Sequence, residues 1–248
     1  GTGVSDRLTE KETDIERHVG SNGSGKTSML NIICGSIPIQ KGEVLIGGKD
    51  IAKMKDFQRY RTIGRVYQDP SAGTCPNLTM LENMSLADNK GKPFGLGRGV
   101  NKARENFYKE QLSILGLGLE NKMNVKLGAL SGGQRQAATL IMATLTPIEF
   151  LILDEPTAAL DPIAEADMYS KYNEMTKGCT SVYISHRLAS TRFCDRILLI
   201  GNHKIAEEGT HEELLKLSGE YARLFEIQSK YYREGDVCEK GQETAEMA

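Results

Sequence analysis

The chain has 248 residues, 39% of them hydrophobic and 26% charged, with a formal net charge of −2. This composition excludes collagen-like, fibrous and disordered chains, and the length is enough for a domain with a large buried core. Without a basic excess the chain has little with which to hold nucleic acid by its phosphates, so we expect no nucleic-acid partner. The five cysteines have no paired spacing, which favours free thiols over a disulfide framework or a metal site.

Membrane insertion is not predicted. A membrane-spanning helix needs roughly 18–20 apolar residues, and the longest candidate, 138–153, is interrupted by polar residues and a proline. Residues 1–14 are polar and lack the apolar centre of a signal peptide.

The first half of the chain alternates short apolar runs with helical periodicity, a pattern typical of an α/β domain. Residues 43–51 are predicted to form a β-hairpin that turns at its Gly-Gly pair, and 61–68 to form a strand. Helix-forming residues dominate 78–125, where the glycine-rich basic loop 92–100 precedes a helix predicted at 103–115.

The second half returns to strands and ends in a charged segment. Strands are predicted at 150–154, 180–185 and 196–200. Asp161 and Pro162 are typical of a helix start, and Thr210 with Glu213 forms a capping-box pattern. The tail 233–248 is predicted to be disordered.

The strongest local motif is GSNGSGKT at residues 20–27, which matches the phosphate-binding P-loop pattern G-x-x-x-x-G-K-[ST]. Its glycines allow a concave row of backbone N–H donors, and a helix beginning near Lys26 would turn its positive end toward the phosphates. Lys26 would reach the β- and γ-phosphates and the Thr27 hydroxyl would bind Mg²⁺. The predicted phosphate-binding residues are Gly20, Ser21, Asn22, Gly23, Ser24, Gly25, Lys26 and Thr27. The alternative is a glycine-rich turn without function.

Two carboxylates follow the apolar run 150–153, as expected where a buried strand reaches the ligand-binding edge of an α/β sheet. Asp154 would hold Mg²⁺ through water, and Glu155 would polarise the attacking water. Two acids after an apolar strand are also common at solvated strand ends, so this motif is weak when taken alone.

LSGGQ at 130–134 places a serine and two glycines at a predicted helix start, which can form a second anion cradle. Because the P-loop already provides one phosphate site, a second cradle implies a nucleotide shared between two chains. With this motif the sequence resembles the ATP-binding cassette (ABC) family over about 19–232. Gln68 in VYQDP resembles its Q-loop, Asp161 in AALD its D-loop, and His186 in YISHR its switch histidine.

The resemblance implies a P-loop NTPase core (RecA-like) with an antiparallel β-subdomain and a helical subdomain. The whole ABC ATPase domain would span 1–232, with the helical subdomain at about 72–135. The chain would hydrolyse ATP with Mg²⁺ in a head-to-tail dimer and drive transport by separate transmembrane permease subunits. It would lie at the cytoplasmic face of the cell membrane as a peripheral subunit, and a solute-binding protein is a further partner in the importer case.

The family's roles carry over to the matching residues. Gln68 would contact Mg²⁺ and the attacking water, so that Gln68, Glu155 and His186 form the catalytic set. Mg²⁺ would be held by Thr27, Gln68 and Asp154. Asp161 would link the two sites of the dimer. The residues expected to complete the partner's ATP site are Ser131, Gly132, Gly133 and Gln134.

Two departures from the family pattern lead to further expectations. The strand before the P-loop carries Asp14, Glu16 and Arg17 where a central strand is normally apolar, and no aromatic residue precedes Gly20 to stack on adenine. We therefore expect a shortened lead-in, an incomplete β-subdomain and weaker ATP binding.

The second departure is that the two halves of the chain resemble different branches of the family. Residues up to about 155 are similar to importer cassettes of tryptophan/tyrosine-type or similar small-solute uptake, and those after about 156 to exporter cassettes. This favours the hypothesis of a chimera and leaves the direction of transport open.

Two other functions remain open. One is a truncated or chimeric cassette with weak or no activity. The other is a soluble cassette ATPase of DNA repair or translation. The short distance between Gln68 and Ser131 leaves no room for the long coiled coil of DNA-repair cassettes, and translation cassettes carry two such units in one chain.

Overall fold

The computed structural model describes residues 15–20, 25–93, 99–156, 168–169, 171–172, 175–176, 178–185, 187–202 and 204–230. Several predicted features lie outside these residues. They are Ser21, Asn22, Gly23, Ser24, the Asp161-Pro162 helix start, His186 and the tail 233–248.

The centre of the fold is a six-stranded sheet with the order β4-β5-β6-β1-β7-β8. All neighbouring strands are parallel except β8, which runs antiparallel to β7. The strands are β1 (Ile15–Gly20), β4 (Ile63–Val66), β5 (Phe150–Asp154), β6 (Thr180–Ile184), β7 (Arg196–Gly201) and β8 (Lys204–Gly209). The α/β prediction and the strands expected at 61–68, 150–154, 180–185 and 196–200 are confirmed.

The predicted hairpin is also present, as the separate two-stranded sheet β2 (Leu45–Ile46) and β3 (Lys49–Asp50). It turns at Gly47 and Gly48, which both have positive φ, as the favoured two-residue hairpin turn requires.

The charged strand before the P-loop takes a central position in the sheet. Its backbone pairs in parallel with β6 on one side and with β7 on the other, through Glu16 and Arg17 as well as their apolar neighbours. The polar sequence of β1 therefore does not prevent it from being a central strand, contrary to what the usual apolar pattern of such strands indicates.

Helices cover both faces of this sheet. The helices with described bounds are α1 (Lys26–Cys34), α2 (Asp56–Arg59), α3 (Met80–Asp88), α4 (Glu105–Ser113), α5 (Gly132–Thr144), α6 (His211–Leu217) and a last helix at 220–230. The predicted capping box of α6 is present, since the Glu213 amide donates to the Thr210 hydroxyl and the Glu213 carboxylate accepts from the Thr210 amide. Over the part of the chain that the structure describes, no helix is both long and apolar enough to cross a membrane.

The alternation of side chains along the strands produces two cores. Phe150 and Ile152 of β5 pack with α1 and the hairpin, whereas Leu151 and Leu153 pack with α3, α4 and α5 on the opposite face. A third cluster joins β7 to α6 and the last helix, with Tyr221 fully buried. Parallel strands that are buried on both faces read as continuous apolar runs, which is why these strands were recognisable in the sequence.

Candidate functional site

The site lies at the edge of the sheet where the parallel strands end. β1 ends at Gly20, β4 at Val66 and β5 at Asp154, and β4 pairs directly with β5. Because carboxyl ends of parallel strands meet at one edge, the segments that follow these strands converge there. Three predicted motifs therefore meet although they are far apart in the chain.

The helix that follows the P-loop begins as predicted. Gly25 caps α1 with a φ of 100°, a conformation that only glycine adopts readily, and Lys26 is the first helical residue. The Lys26 side chain is buried, with 6% of its surface exposed, while Thr27 is exposed. Burial lowers the pKa of Lys26 below its usual value, and the charges of Glu155 and Asp154 oppose that shift. The Lys26 ammonium therefore lies within the electrostatic field of both carboxylates.

Gln68 and Glu155 are in direct contact. Nε2 of Gln68 donates a hydrogen bond of 2.9 Å to Oε2 of Glu155, although the two residues are 87 positions apart. Glu155 has a left-handed backbone with φ of 46°, and its amide donates to the Ile184 carbonyl at 2.9 Å. The chain therefore turns sharply where β5 ends, and the turn directs Glu155 toward Gln68, two positions after the end of β4.

Asp154 is paired with an arginine that the motif analysis did not identify. Nη2 of Arg65 lies 3.6 Å from Oδ2 of Asp154, and both side chains are mostly buried. Nη1 of Arg65 donates to Oδ1 of Asn31 on α1 at 2.9 Å. The available signal was a charged residue inside the otherwise apolar strand around 63–66.

The LSGGQ motif forms the N-terminus of α5. Ser131 is the N-cap, and its hydroxyl accepts a hydrogen bond of 3.3 Å from the Gln134 amide. The Gln134 side chain accepts from Nζ of Lys122 at 2.9 Å and donates to the Leu117 carbonyl at 3.3 Å. Lys122 is a second contact that sequence reasoning missed, because nothing in the sequence indicates that its loop folds back on this motif.

The first turns of α5 are also tied to the Gln68 segment. Nε2 of Gln136, a buried side chain, donates to the Tyr67 carbonyl at 3.0 Å. This contact connects the LSGGQ helix to the residue directly before Gln68.

The donor atoms at the strand edge fit a magnesium ion. Among the described residues no three His, Cys, Asp or Glu side chains are grouped as metal ligands. Mg²⁺ usually takes only one or two carboxylates and fills its other positions with water and phosphate oxygens. The oxygens here are the Thr27 hydroxyl, one carboxylate of Asp154 and the amide oxygen of Gln68, whose nitrogen is engaged by Glu155. This small set of hard donors suits Mg²⁺ with a nucleotide better than a metal held by protein alone.

Comparisons with known proteins agree with these motifs. The sequence profile of the ABC transporter family matches residues 9–158. The tyrosine transport ATP-binding protein of Clostridioides difficile is 35% identical over 205 residues, covering 82% of this chain and 81% of that protein. The ATP-dependent lipid A-core flippase of Pseudomonas fluorescens is 35% identical over 207 residues, 83% of this chain but 34% of that protein.

A solved structure is similar as well. A dimeric ATP-binding cassette in a post-hydrolysis state, bound to ADP and Pi, matches with a TM-score of 0.71 and 29% identity, over 82% of this chain and 88% of that one. The chain therefore spans most of some relatives and about a third of others. Both kinds of relative that the two halves of the sequence resemble are represented.

Proposed function

We propose a transport function from one premise: this chain belongs to the ABC transporter family of ATP-binding proteins. In this proposal it binds and hydrolyses Mg-ATP at the interface of a head-to-tail dimer and drives solute transport by transmembrane permease subunits. The observation that carries the proposal is the Gln68–Glu155 hydrogen bond of 2.9 Å at the strand edge, next to the buried Lys26.

The chemistry asked of the protein is positioning and charge neutralisation, because phosphoryl transfer needs little covalent help. Lys26, with residues 20–27, holds the triphosphate, and the N-terminus of α1 adds its positive end. Burial of Lys26 supports this role, because a cation removed from water interacts more strongly with a phosphate that reaches it.

Glu155 acts as the general base toward the attacking water, and Gln68 orients that water. The left-handed backbone of Glu155 supports this assignment, since strained residues of this kind are concentrated at functional sites. His186 contacts the γ-phosphate and maintains the arrangement of water and Glu155. Thr27, Gln68 and Asp154, the last through water, hold Mg²⁺. When bound, that ion neutralises charge on the β- and γ-phosphates.

The other half of each ATP site comes from the second chain. Ser131 to Gln134 present the N-terminus of α5 to the partner's nucleotide, and Asp161 links the two sites. The similarity to a dimeric cassette bound to ADP and Pi supports this assembly.

Membership of the family supports a membrane partner and a location at the membrane. We propose separate permease chains as partners, with this chain on the cytoplasmic face of the membrane, because it resembles a tyrosine transport ATP-binding protein. A solute-binding protein belongs to the importer version of this assembly.

The proposal is tested by ATP binding and Mg²⁺-dependent phosphate release from the purified chain. We expect Lys26→Ala to lose ATP binding and turnover. Glu155→Gln should still bind ATP but turn over about 10²–10⁴-fold more slowly, since it lacks the base. Lys109→Ala is the matched control, because it removes a partly exposed lysine that pairs with Glu105 on the same helix, α4. Near-normal turnover in both site variants would contradict the proposal.

A further inference from the structure

Arg65 occupies an unusual position for a charged residue. It lies within β4 with only 6% of its side chain exposed, on the face of the sheet that packs against α1. Its guanidinium connects three parts of the site: Asp154 at the end of β5 at 3.6 Å, Asn31 on α1 at 2.9 Å, and the Tyr67 ring, whose centroid lies 4.4 Å away. None of the roles assigned above uses this residue.

We propose that Arg65 is a positioning residue that fixes the Asp154 carboxylate for Mg²⁺, an inference that rests on the proposed function. One oxygen of Asp154 is paired with Nη2, and the neighbouring Nη1 is anchored to the helix that follows the P-loop. The carboxylate is therefore held relative to α1, the helix that carries Lys26 and Thr27.

The planar guanidinium suits this task better than an ammonium. Its donors lie in a rigid fork, so the direction of the hydrogen bond to Asn31 also sets the direction of the contact with Asp154. Stacking on Tyr67 fixes the plane of the fork and links it to the residue next to Gln68. Lysine would keep the charge but could not hold both partners at fixed angles.

The contact between Arg65 and Asp154 should affect Mg²⁺ affinity, because Asp154 acts on Mg²⁺ through water. A water-mediated interaction depends on the orientation of the carboxylate, and partners that orient such groups typically change metal affinity about 10–100-fold when they are removed. Arg65 also neutralises part of the charge of Asp154, and that effect alone would change metal affinity in the opposite direction. The direction of the change therefore distinguishes positioning from charge compensation.

Arg59 provides a matched comparison within the same region. It is also buried, at 3% exposure, but within the described part of the chain its hydrogen bonds run to the carbonyls of Ile32, Ile33, Ala52 and Met54 rather than to a carboxylate. A buried arginine that only supports the fold should affect stability without affecting the metal.

The experiment measures binding of a fluorescent ATP analogue against free Mg²⁺ concentration, and again with EDTA in place of the metal. For Arg65→Met we expect the Mg²⁺ concentration at half-maximal binding to rise about tenfold, with metal-free binding unchanged. Arg65→Lys and Asn31→Ala should also raise the Mg²⁺ concentration at half-maximal binding, but by a smaller factor. These two variants keep the test decisive if Arg65→Met does not fold. Arg59→Lys should leave the Mg²⁺ dependence at the wild-type value.

Three results would overturn the inference. The Mg²⁺ dependence could stay unchanged in the folded Arg65 and Asn31 variants, it could shift to lower concentration, or metal-free binding could fall by the same factor. Each would leave the proposed function standing if the wild-type chain binds the analogue in a Mg²⁺-dependent way. A wild-type chain without Mg²⁺-dependent binding would instead overturn the proposed function and this inference together.

Discussion

Glu155 illustrates how a single side chain is placed by atoms distant in the sequence. A left-handed backbone in a residue with a side chain costs roughly 1–2 kcal/mol, so surrounding contacts must stabilise it. Here the amide of Glu155 donates to the Ile184 carbonyl, and its carboxylate accepts from Gln68. The strand-then-acids pattern predicted where Asp154 and Glu155 would lie, but their different partners depend on the turn after β5.

His211, the first residue of α6, supplies a pH dependence of stability. Burial, with the nearby charge of Arg192, lowers the pKa of His211 below its usual value, and Glu212 opposes this shift. Its Nδ1 lies 2.7 Å from the Tyr221 hydroxyl, which also contacts the Thr191 hydroxyl at 2.6 Å. The lowered pKa favours the neutral imidazole where α6 meets the last helix.

We predict that the folded state loses stability as the pH falls below about 6.5, because the unfolded state then binds a proton that the folded state does not. This loss continues until the pH reaches the lowered pKa of the folded state. Urea unfolding between pH 7.5 and pH 5 measures it. His211→Phe should unfold with a weaker pH dependence over this interval, and an identical pH dependence in that variant would contradict the prediction.

Among the elements that sequence analysis missed, β8 is the strand. Its residues alternate between exposed and partly buried, and its sequence KIAEEG is charged. Such an antiparallel edge strand needs few apolar residues, so its pattern resembles a loop. The β2–β3 hairpin, by contrast, was predictable from only two glycines between short strands, because few other residues adopt its turn.

The packing of β4 against α5 depends on a small residue. A Cβ atom on Gly64 would lie 2.9 Å from the Ala143 carbonyl oxygen and 2.9 Å from methyl groups of Ile148 and Leu151. We predict that Gly64→Ala lowers the free energy of unfolding by about 1–3 kcal/mol, because the backbone carbonyl cannot move aside without shifting the helix. Thermal and urea unfolding measure the loss.

Gly99→Ala is the control for this substitution. A Cβ atom there would have no neighbour within 4 Å, and Gly99 has no positive φ. Equal stability of the two variants would show that the helix and strand can separate at low cost.

For the molecule as a whole, we propose that each ATP site takes residues from two chains. Gly20 ends β1 at the sheet edge and Lys26 begins α1, and the hydrogen bonds of Ser131 and Gln134 place LSGGQ beside Leu117 and Lys122 at the start of α5. A head-to-tail dimer would combine the P-loop of one chain with the LSGGQ motif of the other.

Mixing two inactive variants tests this assembly. Lys26→Ala removes the P-loop lysine, and Ser131→Arg blocks the other cradle. In a mixed dimer, one ATP site combines the intact P-loop of the Ser131→Arg chain with the intact LSGGQ motif of the Lys26→Ala chain. The other site carries both substitutions. Because half of randomly formed dimers are mixed, we expect the mixture to recover about a quarter of the wild-type ATPase rate. Phosphate release measures it, with each variant alone as the control, and no recovery would contradict the head-to-tail arrangement.

Much of the candidate site could be predicted because its motifs are local. The P-loop pattern, the acids after an apolar strand and LSGGQ each place particular residue types a few positions apart, where backbone geometry alone relates them. The strands β5, β6 and β7 were equally recognisable, since burial on both faces requires continuous apolar runs.

The order of the strands and the partners of the charged groups could not be predicted from local sequence motifs. The central position of β1, the pairing of Arg65 with Asp154 and the fold-back of Lys122 onto Gln134 depend on which segments become neighbours. Composition and periodicity report whether a segment is buried, but not what it is buried against. A charged residue in a strand therefore indicates that a partner is needed, and only the packed fold determines which residue provides it.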